Sequence, residues 1–123
     1  MLEFLGSMIS NDVIIKNEVL NEGDVMHLYY SKMYGMYIAY GYSAFLVEKS
    51  LRLQQIEIEH TYSDRFQMPS VQVDRDSFYL LLKLCDGQKK TKDGRYYCIQ
   101  SFVLFDEGEY DEWASLLRGE VSK

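Results

Sequence analysis

The sequence has one proline, two cysteines and two histidines among 123 residues, and each scarcity removes a class of protein. Cys85 and Cys98 are too few and too isolated for a metal cage or a disulfide framework, so they read as reduced core thiols of a cytoplasmic protein. Apolar runs are short as well; none approaches the roughly 20 residues that a bilayer-spanning helix needs, and no membrane segment is expected. Basic charge is also in deficit. With 13 Lys and Arg against 19 Asp and Glu the formal net charge is -6, which argues against a protein whose affinity comes from neutralising many phosphates. His27 falls in an inward-facing strand and His60 at a strand end, and neither has a second histidine or an acidic pair at ligand spacing. No glycine loop at phosphate-cradling spacing and no nucleophile and base pair are evident, so the expectation is a non-enzyme with no cofactor and no metal.

What the chain has in excess is tyrosine, with 11, and methionine, with 6. Both are adaptable contact formers that recur at recognition surfaces and in cores alike. Apolar residues at 47% and charged residues at 26% match a soluble globular chain of one domain. The opening Met1 to Ser7, ahead of Met8, looks like a leader encoded by cloning sites; the single domain is then expected over residues 8–123.

Along the chain, the β-branched cluster Val13-Ile14-Ile15 predicts an edge strand between Asp12 and Leu20, closed by the turn-rich Asn21-Glu22-Gly23-Asp24. Val25 to Tyr42 reads as a hairpin or two abutting strands, with Gly35 permitting the turn. Ser43 is placed to cap a short helix reaching about Leu53, along which Ala44, Val47 and Leu51 share a face. Gln55 to His60 alternates, with Ile56 and Ile58 inward and Glu57 and Glu59 outward, as a half-buried strand does. A loop from Thr61 to Val73 holds Pro69. Asp74 or Asp76 caps the next helix, in which Phe78, Leu81, Leu82 and Cys85 recur at helical spacing before Gly87. Lys89, Lys90, Lys92 and Arg95 make a basic hairpin loop around Asp93-Gly94, followed by a strand from Tyr96 to Phe105. The acidic run Asp106 to Glu112 suits the start of a last helix whose Tyr110, Trp113, Leu116 and Leu117 share one face, with the domain continuing to about Val121. The fold class expected is α/β (α+β), a mixed β-sheet of about five to six strands flanked by about three helices.

The stretch from Lys32 through Met33-Tyr34-Gly35-Met36-Tyr37-Ile38-Ala39-Tyr40-Gly41-Tyr42-Ser43-Ala44 resembles the MutS segment Arg-Met-Gly-Asp-Phe-Tyr-Glu-Leu-Phe-x-x-Asp-Ala, with Met33, Tyr37, Tyr40 and Ala44 in register. Phe78 to Gly87 is similar to the MutS helix Ser-Tyr-Leu-x-x-Leu-x-x-x-Gly. The resemblance, to the amino-terminal mismatch-recognition domain (domain I), runs from Val25 to about Gln88. The proline-to-tyrosine spacing is longer here. It implies the same order of strands and helices, while Met36 and Ile38 stand where MutS proteins carry the wedging Phe and the base-reading Glu. A methionine can wedge into a base step, whereas Ile38 offers no donor or acceptor to a base edge. The segment from Met36 to Ala44 is also similar to that of stand-alone MutS domain I-like proteins that accompany diversity-generating retroelements. That resemblance implies a non-catalytic accessory protein partnering a reverse transcriptase or its ribonucleoprotein.

Three ways of working stay open on the residues. The first is protein binding through an aromatic hairpin surface containing Tyr34, Met36, Tyr37, Ile38 and Tyr40. The second is direct binding of distorted or single-stranded DNA or RNA, with Tyr34, Met36 and Tyr37 stacking or wedging and Lys89, Lys90, Lys92 and Arg95 holding phosphate. A soluble loop explains those basic residues equally well. The third is a homo-oligomer in which the hairpin is buried.

Overall fold

The structure, a computed structural model, describes residues 11–85, 89–92 and 95–119. In chain order the elements are α1 (Asn11–Val19), β1 (Val25–Ser31), β2 (Met36–Tyr40), α2 (Gly41–Arg52), β3 (Glu59–Ser63), β4 (Met68–Val73), α3 (Arg75–Leu84), β5 (Lys89–Lys92), β6 (Tyr96–Gln100) and α4 (Glu107–Arg118). The strands form one six-stranded sheet in the order β3-β4-β2-β1-β6-β5. The α+β class read from the sequence is present. The sheet, expected to be mixed, has antiparallel pairing at every described ladder. Its strands come as the consecutive pairs β1–β2, β3–β4 and β5–β6, and short connections force antiparallel partners.

One face of the sheet carries the core. Met26 and Leu28 on β1, Tyr37 and Ala39 on β2, and Val71 and Val73 on β4 alternate with outward neighbours at the period of two that a strand imposes. Helix α2 lies across β1, β2 and β4 and buries Phe45, Leu46, Val47 and Leu51. Helix α3 packs on β2 and α2 with Phe78 and Leu81, and α4 packs on β3, β4 and α2. Cys85 is a core thiol beyond the end of α3, and burial pushes its pKa up to about 11.

Several elements differ from the sequence reading. Residues Asn11–Val19 are a helix rather than an edge strand. The β-branched residues Val13, Ile14 and Ile15 each cost only a few tenths of a kcal/mol in a helix. Ile14 and Glu18, four apart, are the residues α1 buries, and that tertiary contact outweighs local preference. The third strand begins at Glu59, not Gln55, because Gln55 takes a left-handed φ of 63° that breaks the extended run. The supposed loop from Thr61 to Val73 is mostly a hairpin, turning at Gln67 (φ 56°), and His60 pairs with Val71 inside β3. Pro69 fits β4 because the ladder with β2 stops at Tyr40 and Ser70, so the missing N–H lies past its end.

Strand β6 ends at Gln100 rather than Phe105. The Ser101 hydroxyl accepts from Val103 N–H at 3.1 Å and donates to the Val103 carbonyl at 3.0 Å, which bends the chain away from the sheet. Asp74 caps α3 as expected, accepting from Ser77 N–H at 2.8 Å, and Gly119 closes α4 in the left-handed conformation. The expected leader, the Asp93-Gly94 turn, Gly87 and the end near Val121 lie outside the described residues.

Candidate functional site: a hairpin tip and an aromatic groove

The β1–β2 hairpin is built as the sequence suggests, with Tyr29 opposite Ile38, Tyr30 opposite Tyr37 and Ser31 opposite Met36. Gly35, at φ 65°, turns the chain, and its N–H donates to the Ser31 carbonyl at 2.8 Å. Met33 and Tyr34 therefore project from the tip, 83% and 64% exposed.

The remaining candidates part company. Tyr37 belongs to the core: its ring stacks on Phe78 with centroids 3.9 Å apart and planes 7° off parallel. It is 8% exposed, in contrast to Met33 and Tyr34 at the tip. Met36, Ile38 and Tyr40 occupy the opposite face of the sheet and are half-buried. Tyr40 is packed edge-on against Phe66 at 4.8 Å and sits 6.2 Å from Tyr29. That face continues as Tyr29 stacked on Tyr96 at 5.4 Å, and Tyr96 stacked on His27 with its hydroxyl 2.7 Å from Nδ1. Burial lowers the His27 pKa against an opposing pull from Asp24, so the imidazole is neutral at physiological pH.

Lys89, Lys90 and Lys92 lie in strand β5 rather than in a hairpin loop, opposite Ile99, Cys98 and Tyr96. Arg95 is half-buried, and its carbonyl accepts the Tyr30 N–H at 2.9 Å. Since Tyr96 pairs with both Lys92 and Tyr29, the β5–β6 connection leaves the sheet at the same end as the β1–β2 turn. The fold thus brings Met33, Tyr34, Lys92 and Arg95 to one end and leaves Tyr37 and Tyr40 out of that group.

A second feature escaped the sequence reading. Between α2 and α4 runs a groove of about 260 Å³ lined by Phe45, Arg52, Glu109, Glu112, Trp113 and Leu116. Trp113 meets Phe45 edge-on at 5.6 Å to form its floor, while Leu116 on the same face of α4 is left 58% exposed. Lys49 Nζ bridges the elements, donating to Glu109 Oε1 at 2.9 Å and to the Leu104 carbonyl at 3.1 Å. Arg52 Nη2 sits 3.6 Å from Glu48 Oε1. The shared face of Tyr110, Trp113, Leu116 and Leu117 was legible in the sequence, but periodicity cannot tell which end of such a face stays uncovered.

A buried polar cluster was missed as well. The Glu18 carboxylate accepts the Ser43 N–H at 3.1 Å and the Ser43 hydroxyl, at the first turn of α2. The same hydroxyl oxygen accepts from His27 N–H at 2.8 Å and from Asn21 Nδ2 at 3.1 Å. Ser43 is therefore not the cap it was expected to be. The cap residue is Tyr40, which makes no side-chain bond, and the anion at the helix start comes from α1. Gly41, at φ 59°, lets that carboxylate close in, since a Cβ there would stand 3.3 Å from Glu18 Oε1 and 2.9 Å from Met68 Sδ. Burial drives the Glu18 pKa up to about 7 despite its hydrogen bonds from Ser43 and Asn21.

Among the described residues no helix is long and apolar enough to cross a membrane, and no group of three or more His, Cys, Asp or Glu residues could hold a metal ion. No protein-family model matches the chain, and no curated protein and no solved structure matches it either.

Proposed function

We propose that the chain is a non-catalytic, MutS domain I-like accessory protein that binds a reverse transcriptase or its ribonucleoprotein through the end of the sheet carrying Met33 and Tyr34. The observation that carries this reading is the exposure of two large contact-forming side chains at the tip of a hairpin whose base is pinned in the core by Tyr37 on Phe78. A rigid platform of this kind loses little conformational entropy on binding, and aromatic and methionine side chains are enriched at interface centres. The sequence likeness to retroelement-associated proteins supplies the class of partner.

Co-expression with a reverse transcriptase encoded beside the gene tests it. The pair should co-purify, and Met33→Ser with Tyr34→Ser should abolish co-purification while leaving the melting temperature of the free protein unchanged. Undiminished association of the double variant would reject the hairpin tip as the contact.

Direct nucleic-acid binding is the second reading, favoured by Arg95 and the end of β5 lying at the same end of the sheet as the β1–β2 turn that carries Tyr34. With Tyr37 buried in the core, the 64% exposed Tyr34 ring is a candidate for stacking at that end. Binding of a single-stranded oligonucleotide that is lost on Tyr34→Ala and falls steeply with salt would favour it over the protein-binding reading.

A further inference from the structure

We infer that the groove between α2 and α4 docks a basic amphipathic helix of a protein partner, which seats one apolar side chain against Phe45, Trp113 and Leu116. At about 260 Å³ the groove falls below the roughly 300–1,000 Å³ usual for small-molecule and cofactor sites, yet it is ample for one large side chain. Its floor is aromatic and its wall apolar, with Leu116 58% exposed, and Leu104, whose carbonyl meets Lys49 at the rim, 85% exposed. Large aliphatic groups left uncovered around a tryptophan are what a helix-in-groove contact fills.

The charge around the groove selects the occupant. Lys49 is held by Glu109, and Arg52 lies beside Glu48, so the basic groups bordering the groove already face carboxylates of this chain. Glu112, which lines the groove, has no ion pair among the described residues, and Asp111 and Glu107 add to the negative field on the same helix. A net charge of -6 extends that field over the molecule. An acidic rim around an apolar floor repels an acidic helix and steers a basic one. This inference is independent of the hairpin-tip reading, because none of the residues lining the groove belongs to the β1–β2 hairpin.

Trp113 is the sole tryptophan, so its emission reports on the groove directly. The probe is a synthetic helical peptide of repeating Leu-Lys-Lys-Leu, with Leu-Glu-Glu-Leu as its acidic counterpart. The basic peptide should blue-shift Trp113 emission saturably and the acidic one should not. Leu116→Asp should weaken binding at least tenfold, and Glu112→Gln several-fold with the loss greatest at low salt. Both positions are exposed, and unchanged melting temperatures would show that the variants fold; Met33→Ser should leave the affinity intact. Equal response to both peptides, or affinity indifferent to Leu116→Asp, would overturn the inference. So would a concentration-dependent emission shift of the protein alone with a doubled mass by light scattering, which would assign the groove to a second copy of the chain.

Discussion

Glu18 and Ser43 lie 25 positions apart in the chain, and Ser43 gives the Glu18 carboxylate both its backbone N–H and its hydroxyl proton. Through this pair α1 is fastened to the first turn of α2, and the acid is buried with no cation among its hydrogen-bond partners. A helix N-terminus stabilises an anion by at most about 2 kcal/mol, less than burial costs a carboxylate. That imbalance is why the acid is harder to ionise in the folded protein.

Stability should therefore fall as the pH rises through neutrality. The folded pKa of Glu18 is about 7 against a model value of 4.5, so its contribution is complete below about pH 4.5 and is lost as the pH climbs through 7. The full loss is on the order of 3 kcal/mol. His27, with its pKa lowered, works in the opposite sense, losing stability as the pH falls below 6.5, and the tyrosines facing the cluster, Tyr29, Tyr96 and Tyr110, stay protonated throughout because burial raises their pKa values. Urea unfolding between pH 5 and 8.5 should show the decline in the parent and a much flatter profile in Glu18→Gln. Identical slopes in the two proteins would count against the buried acid as the source.

Ser43→Ala should be costly. It strips hydrogen bonds from the Glu18 carboxylate, the His27 N–H and the Asn21 amide together, and stranded buried polar groups cost about 1–3 kcal/mol each. A loss of roughly 2–4 kcal/mol in urea unfolding is expected, with acid pH softening it because a protonated Glu18 strands less charge.

Tyr37→Ala and Tyr34→Ala should differ sharply although both tyrosines were read as surface contacts. Removing the ring stacked on Phe78 should cost about 3–5 kcal/mol, whereas loss of the exposed Tyr34 ring should stay within about 0.5 kcal/mol. Paired thermal melts decide it; comparable effects would mean that Tyr37 is not a core residue.

Gly41→Ala should destabilise by about 1–3 kcal/mol through its left-handed backbone and the approach of Met68 Sδ. Relieving the contact with Met68→Ala in the same chain should recover part of that loss, and the absence of any recovery would leave backbone strain as the whole cause.

The helices capped or patterned by their own residues were legible in the sequence: α3 between Asp74 and Cys85, and α4 from Asp106 to Gly119. The β1–β2 hairpin was legible for the same reason, its turn glycine and alternating aromatics lying within a short window. What misled the reading was decided at a distance. Nothing local in Val13-Ile14-Ile15 announces that Glu18 will reach Ser43, and a proline suggests a loop until the ladder beside it is known to stop at Ser70. The same limit applies to function. Tyr34 and Tyr37 sit three positions apart in a hairpin of uniform composition, and it is Phe78, on another element, that claims one for the core.

Strand β1 lies inside the sheet because β6 pairs along its second edge, and the His27 and Tyr96 side chains that meet there are 69 positions apart. On the ribosome β1 and β2 emerge early, but that second edge stays bare until synthesis has passed Gln100. A nascent chain paused before that point offers an aromatic strand with unsatisfied backbone groups to any neighbour. Pairing of the late strand ends that exposure, so the completed chain is less prone to aggregate than any fragment that stops short of β6.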